Sequence, residues 1–217
     1  MHTLISHLKQ LILPTFCAYC RIFFKDDSHI LCFECRAAIR PVVSHQLAVT
    51  KTKSITVHAV GAYDQPLVSL ILAKSRGNRT VAHQLGKLAW QQTAVPHLQY
   101  DYITPIPLHW TRYAWRGYNQ ADEIARVIAR KSGRPVAHLL KRKKRTPFQS
   151  HFRGDAREQN VADAFALQKL DASLYKDKHL LLVDDVMTSG ATLKQAAKEL
   201  YRLQPASITA VVISRVA

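Results

Sequence analysis

The sequence predicts an α/β fold: a largely parallel sheet flanked by helices, with a small cysteine-bearing module in front. Three observations point there. Short aliphatic runs such as "KHLLLVDDV" and "SITAVVISRV" alternate with stretches whose apolar residues recur at helical intervals. All four cysteines fall between residues 17 and 35, ahead of that alternation. The 217 residues suffice for one substantial core and one accessory unit.

The elements follow in order. "LISHLKQLILP" carries apolar residues at 4, 5, 8, 11 and 12, a helical spacing that predicts packing on the module or its neighbour. The cysteine segment and "RAAIRPVVSHQ" complete a first unit over 1–45, and the polar "TKTKS" reads as a linker into a second over 54–217. There "SITVHAVGAYD" reads as a strand, and "PLVSLILAKSRGN" as a short helix running into a basic turn at Lys74, Arg76 and Gly77. "TVAHQLGKLAWQQTA" is helical, "YDYITPIPLH" a strand entering a proline-stiffened turn, and "NQADEIARVIARKSG" an amphipathic helix stopping at Gly133. Residues 141 to 160 lack a clean period and read as a long loop. The strand "KHLLLVDDV", the helix "ATLKQAAKELYRLQ" and the strand "SITAVVISRV" close the chain.

No apolar run reaches membrane-spanning length, and "LILP" gives way at once to polar, cysteine-bearing sequence rather than a cleavage site. A cytoplasmic protein with no transmembrane segment is expected. Thirty-one Lys and Arg against fifteen Asp and Glu leave a formal charge of +16, a field that attracts polyanions. Between Arg126 and Arg157 lie eleven basic residues and one acid, Asp155, with Lys141–Arg145 ("KRKKR") in the middle. A solvated basic face is the commoner meaning of such a run; a nucleic-acid contact is the sharper one, although only Phe148 and Phe152 stand near it as stacking groups.

Cys17 and Cys20, then Cys32 and Cys35, form two Cys-x-x-Cys pairs eleven residues apart. Two such turns complete a tetrahedral thiolate shell suited to zinc. A closed four-sulfur shell leaves no open position, so the metal is expected to be structural and to supply folding energy. Disulfides are disfavoured by a reducing compartment, and His29, between the pairs, is expected to be a bystander.

"LLLVDDVMTSGATL" concentrates the chemistry. An aliphatic strand carries Asp184 and Asp185 to the carboxyl edge of the sheet, where open α/β sheets bind ligands. Thr188, Ser189, Gly190, Ala191 and Thr192 form the turn that opens the next helix, whose free N–H groups and positive dipole end suit a phosphate monoester. The carboxylates beside it suit vicinal hydroxyls or a hydrated Mg²⁺, so that together the two ends describe a ribose 5-phosphate. A simple helix cap is the plainer alternative, but one capping side chain would suffice for that.

These residues resemble the phosphoribosyl pyrophosphate (PRPP) motif of type I phosphoribosyltransferases. Within that superfamily the chain is similar to the ComF (ComFC/GntX-like) group associated with bacterial competence. The likeness extends over the Cys₄ module, "LAKSRGN", "PIPLHWTRYAWRGYNQADEIA", "TPFQSHFRGDAREQNVADAF" and the acidic motif. It implies a type I phosphoribosyltransferase-like sheet behind a zinc finger, with Thr188–Thr192 on the 5-phosphate and Asp184 and Asp185, the candidate catalytic pair, on the ribose hydroxyls with Mg²⁺. Lys74 would lie in the pyrophosphate loop, and Arg153 and Arg157 in the loop that closes over PRPP. Ser189 departs from the second Thr of many relatives but keeps the hydroxyl. The resemblance further implies a role in DNA uptake and natural transformation, with single-stranded DNA at Lys141–Arg145 and a competence helicase or uptake-channel proteins as partners, through which the chain would sit at the inner membrane. Whether PRPP is turned over on some acceptor or only sensed is left open. The first cysteine is Cys17, so glutamine hydrolysis by an amino-terminal Cys is not implied.

Overall fold

The computed structural model of the chain describes residues 16–25, 29–73, 79–143 and 164–216. Its centre is a sheet in the order β1 (His45–Ala48), β2 (Ser54–Ala62), β8 (Ser207–Arg215), β6 (His179–Val183), β3 (Tyr102–Pro105), with the two-residue β7 (Val186–Met187) also on β8. β2, β8, β6 and β3 run parallel, and β1 pairs antiparallel with β2. Four consecutive residues of β6, Leu180 to Val183, are buried. A strand covered on both faces has this uninterrupted aliphatic signature.

Successive β6 residues feed two cores on opposite faces. Leu181 and Val183 join Val211 and Ile213 under α3 (Arg79–Gln92) and α5 (Gln120–Ser132), through Leu85, Ile124 and Ile128. The two helices approach closely at Gly86, where a Cβ would stand 2.8 Å from Val127 Cβ. Leu180 and Leu182 join Ala210 and Val212 under α6 (Ala191–Leu200), through Leu193, Ala196 and Leu200. A two-stranded sheet of β4 (Leu140–Arg142) and β5 (Phe165–Leu167) packs on this second face. Two short helices follow strands: α2 (Leu67–Ala73) after β2, and α4 (Trp110–Arg116) after β3.

The cysteine segment is continuous with the first core. Cys17, Leu31, Cys32, Cys35 (the last two bracketing the start of α1, Phe33–Ala37) and Ile39 cluster with Val60, Leu67 and Leu70. Gly61 permits this seat, since a Cβ there would collide with Ile39 Cγ2 at 2.5 Å and the Arg40 carbonyl at 2.9 Å. The Ala62 N–H donates to that same carbonyl.

Two expectations need correction. "TKTKS" is not a linker but the turn of the β1–β2 hairpin, in which Val49 and Thr50 N–H groups donate to the Lys53 carbonyl. Polar composition marks a tight turn and a linker alike, and only strand pairing separates them. The loop expected from residue 141 begins instead as strand β4, because Leu140, Lys141 and Arg142 pair with Leu167, Ala166 and Phe165, which are distant in sequence. The rest of that expected loop, 144–160, lies outside the described residues, as do the amino-terminal 1–15 with their expected helix.

Candidate functional site

β6 lies inside the sheet between β8 and β3, and Asp184 and Asp185 follow it at the carboxyl edge. Backbone bonds to β8 fix both: the Asp184 N–H donates to the Val211 carbonyl (3.1 Å), and the Asp185 carbonyl accepts from Ile213 (3.1 Å) and Ser214 (3.2 Å). Asp184 Oδ1 accepts the Asp185 N–H at 2.8 Å, so the pair is ordered locally before any ligand arrives. Both are half-buried.

β7 then pairs with β8 at Val186–Ser214 and Met187–Arg215 and carries the chain into the turn Thr188–Gly190. Gly190 sits in the left-handed region (φ 78°) as the residue before α6. Its conformation and the Leu47 and Met187 side chains beneath it, 2.8 and 3.1 Å from where a Cβ would be, both demand glycine. No side chain caps α6. By contrast, the His109 imidazole caps α4, and Asn119 caps α5 with a 3.2 Å bond from the Ala121 N–H. The start of α6 thus lacks the side-chain cap that α4 and α5 have, as does that of α1, and the first-turn N–H groups of such a start suit an anion. Residues 186–193, including Thr188, Ser189, Gly190, Ala191 and Thr192, line a shallow concavity of about 10 Å³ at this point, room for about one water.

On the strands beside β6, Thr104 and Ser214 are fully buried, and neither hydroxyl has a partner among the described residues. Both lie next to the carboxyl ends of their strands. Sequence reasoning passed over them; the available signal was a lone hydroxyl residue near the end of an aliphatic run. It also left "RYAWRGYNQ" without a role. The structure gives it one: the segment ends α4, reverses at Gly117 (φ 73°) and starts α5 at Asn119, whose Nδ2 donates to the Ile106 carbonyl at 2.8 Å. That bond ties the start of α5 to the loop leaving β3. Lys74, Arg153 and Arg157 lie outside the described residues, as do Lys144 and Arg145. Lys141–Lys143 run along and just past β4, where the Arg142 guanidinium lies over the Phe165 ring.

The four cysteines converge. All four Sγ atoms lie within 4.8 Å of one another, and Cys20 and Cys32 are 3.7 Å apart with no disulfide. A tetrahedral zinc with bonds of about 2.3 Å has sulfur–sulfur edges of about 3.8 Å, so this cluster fits such an ion. The thiols are unequal. Burial raises the Cys17 thiol, but hydrogen bonds from the Cys32, Cys20 and Tyr19 backbone outweigh it and bring the pKa down to about 6. Burial and the shared hydrogen bonds of its neighbours push Cys35 the other way. His29 stands apart, 3.2 Å from Gln91 Oε1, and is not in the cluster.

A family profile described as "Phosphoribosyl transferase domain" matches residues 115–216. Competence protein F of Haemophilus influenzae is 32% identical over 151 residues, 66% of this chain and 66% of that protein. The DNA utilization protein YhgH of Salmonella typhimurium is 30% identical over 158 residues, 69% of this chain and 67% of that one. The matches thus span about two thirds of these relatives. A glutamine PRPP amidotransferase from B. subtilis, solved with ADP and GMP, superposes with a TM-score of 0.42 at 18% identity, covering 62% of this chain and 26% of its own. With the acidic motif, the four-cysteine cluster and these relatives together, the chain belongs to the ComF family, a phosphoribosyltransferase-type α/β domain behind an amino-terminal four-cysteine module.

Proposed function

We propose that the carboxyl edge of the sheet binds PRPP with Mg²⁺ and that the protein serves DNA uptake in natural transformation. The observation that carries the binding reading is the junction of β6 and α6, where an acidic pair is followed, after the two-residue β7, by an uncapped, glycine-led helix start. The turn Thr188–Thr192 would receive the 5-phosphate through backbone N–H and hydroxyl groups. Asp184 and Asp185 would accept hydrogen bonds from the ribose hydroxyls and hold Mg²⁺ through water. Lys74, Arg153 and Arg157 would supply cations to the pyrophosphate. Mg²⁺, when bound, neutralises charge on the departing pyrophosphate. The chain's part is to fix the ribose, orient C1 toward an incoming nucleophile and keep water out.

The four thiolates would hold one structural zinc in an amino-terminal module, 1–45, seated on the core of the PRPP-binding unit, 54–217. The uptake role follows the relatives named for competence and DNA utilization. In it, single-stranded DNA would meet the basic run Lys141–Arg145, and a competence helicase or uptake-channel proteins would meet the module. No helix among the described residues is long and apolar enough to cross a membrane. We place the protein in the cytoplasm, held at the inner membrane through those partners.

Turnover on an acceptor is the second reading; a non-catalytic PRPP sensor is the third. Incubation with PRPP, Mg²⁺ and a cell extract separates them. Pyrophosphate release that requires Asp184 and Asp185 identifies a transferase, and binding without release identifies a sensor. Absence of Mg²⁺-dependent PRPP binding overturns both.

A further inference from the structure

The opposite, amino edge of the sheet also carries concentrated charge. There the β1–β2 turn, the segment entering β6 and the segment entering β8 come together. Lys53, Lys176, Asp177, Tyr201, Gln204 and Pro205 line an open concavity of about 480 Å³. Lys51 lies in the same hairpin turn, and Lys178 directly precedes β6; all four lysines are exposed. The lining holds one acid, Asp177.

The floor is fixed rather than loose. The Asp177 N–H donates to the Gln204 carbonyl (3.0 Å) and the Ala206 N–H to the Lys178 carbonyl (2.9 Å). The Tyr201 hydroxyl donates to the Ser54 carbonyl at 2.9 Å, and Lys53 Nζ lies 5.6 Å from the centre of the Tyr201 ring. Lys53 is thus held by one aromatic ring with Lys176 in the same concavity, while Asp101, the other acid beside these strand starts, has its carboxylate engaged by the His179 N–H at 2.8 Å.

We propose that this amino edge is a contact surface for the phosphate backbone of single-stranded DNA, separate from the PRPP edge. Charge complementarity selects a polyanion. A single strand fits better than a duplex, because its exposed bases can stack on the Tyr201 ring in the concavity while its phosphates meet the lysines beside it. The proposal rests on the DNA-handling reading above and places a contact away from Lys141–Arg145. Because the two edges lie at opposite ends of the parallel strands, DNA and PRPP bind together without competing.

The test is fluorescence anisotropy of a labelled oligothymidylate across a salt series. Charge reversal in K53E/K176E/K178E should weaken binding at least about tenfold and reduce the slope of log K against log salt by about 2, at roughly 0.7 per lost phosphate contact. Mg²⁺–PRPP affinity and the thermal midpoint should match wild type. Asp177 adopts φ 55°, which Asn tolerates, so Asp177→Asn should keep the fold and tighten binding. If K141E/K143E loses binding while the triple variant does not, the amino edge is not the contact and the DNA reading stands. No salt-dependent binding by wild type removes both. Preference for duplex, or binding to phosphatidylglycerol vesicles in place of the oligonucleotide, also overturns the proposal.

Discussion

Gly190 and Leu47 meet beneath the turn that opens α6: a Cβ at position 190 would stand 2.8 Å from Leu47 Cδ1 and 3.1 Å from Cδ2. The antiparallel strand β1 therefore buttresses the turn assigned to the 5-phosphate. Gly190→Ala should destabilise the fold by about 2–3 kcal/mol, combining left-handed strain with overpacking. Leu47→Ala in the same chain should relieve only the steric part, giving a coupling of about 1 kcal/mol in a urea double-mutant cycle. Strict additivity would show that the two side chains do not compete for the space.

The contact also marks a boundary of what sequence reveals. The run Leu180 to Val183, the acidic pair and the glycine turn are all local signals, and the strand, the edge and the helix start follow from them. Leu47 is different: nothing within several residues of it announces a strand, and its role exists only because His45–Ala48 pairs with residues 54–57 and lies under a turn far along the chain. The β4–β5 pair has the same cause, as its partners are separated by residues with no periodic signal. Asn119 was legible as a polar residue before a helix, but its bond to the Ile106 carbonyl depends on tertiary placement.

Asn119→Ala removes both the cap of α5 and that tie. A loss of about 1–2 kcal/mol is expected by urea denaturation. Asn119→Asp should recover the cap but not the Nδ2 donor, and so should fall between alanine and wild type. An aspartate variant as unstable as the alanine variant would rule out the cap as a contributor.

The cysteine cluster predicts one zinc per chain on purification by atomic absorption. Cys32→Ser should abolish stoichiometric zinc and lower the thermal midpoint, because Cys17, Cys32 and Cys35 are buried in the same core as Leu67 and Leu70. A strong chelator should destabilise wild type and leave the variant unchanged. Purified protein with two disulfides would refute the metal shell.

Burial holds the His58 imidazole below its ordinary value of 6.5, and His83 is lowered by burial and by Arg130 and Lys87. Each is therefore favoured as the neutral form in the fold. The unfolded chain takes up protons first as pH drops through about 6.5, so stability should fall on acidification from pH 7 and level off below the depressed folded values. His58→Asn combined with His83→Asn should flatten the thermal midpoint over this window. An unaltered slope would place the pH sensitivity elsewhere.

The central claim is that Asp184 and Asp185, with the turn before α6, hold PRPP. Isothermal titration of PRPP in the presence of Mg²⁺, into wild type and into Asp184→Asn/Asp185→Asn, tests it most directly. One site per chain is expected in wild type, with at least about a hundredfold loss in the variant, of the order of 3 kcal/mol, at an unchanged thermal midpoint. Equal affinity in the two proteins would contradict the assignment.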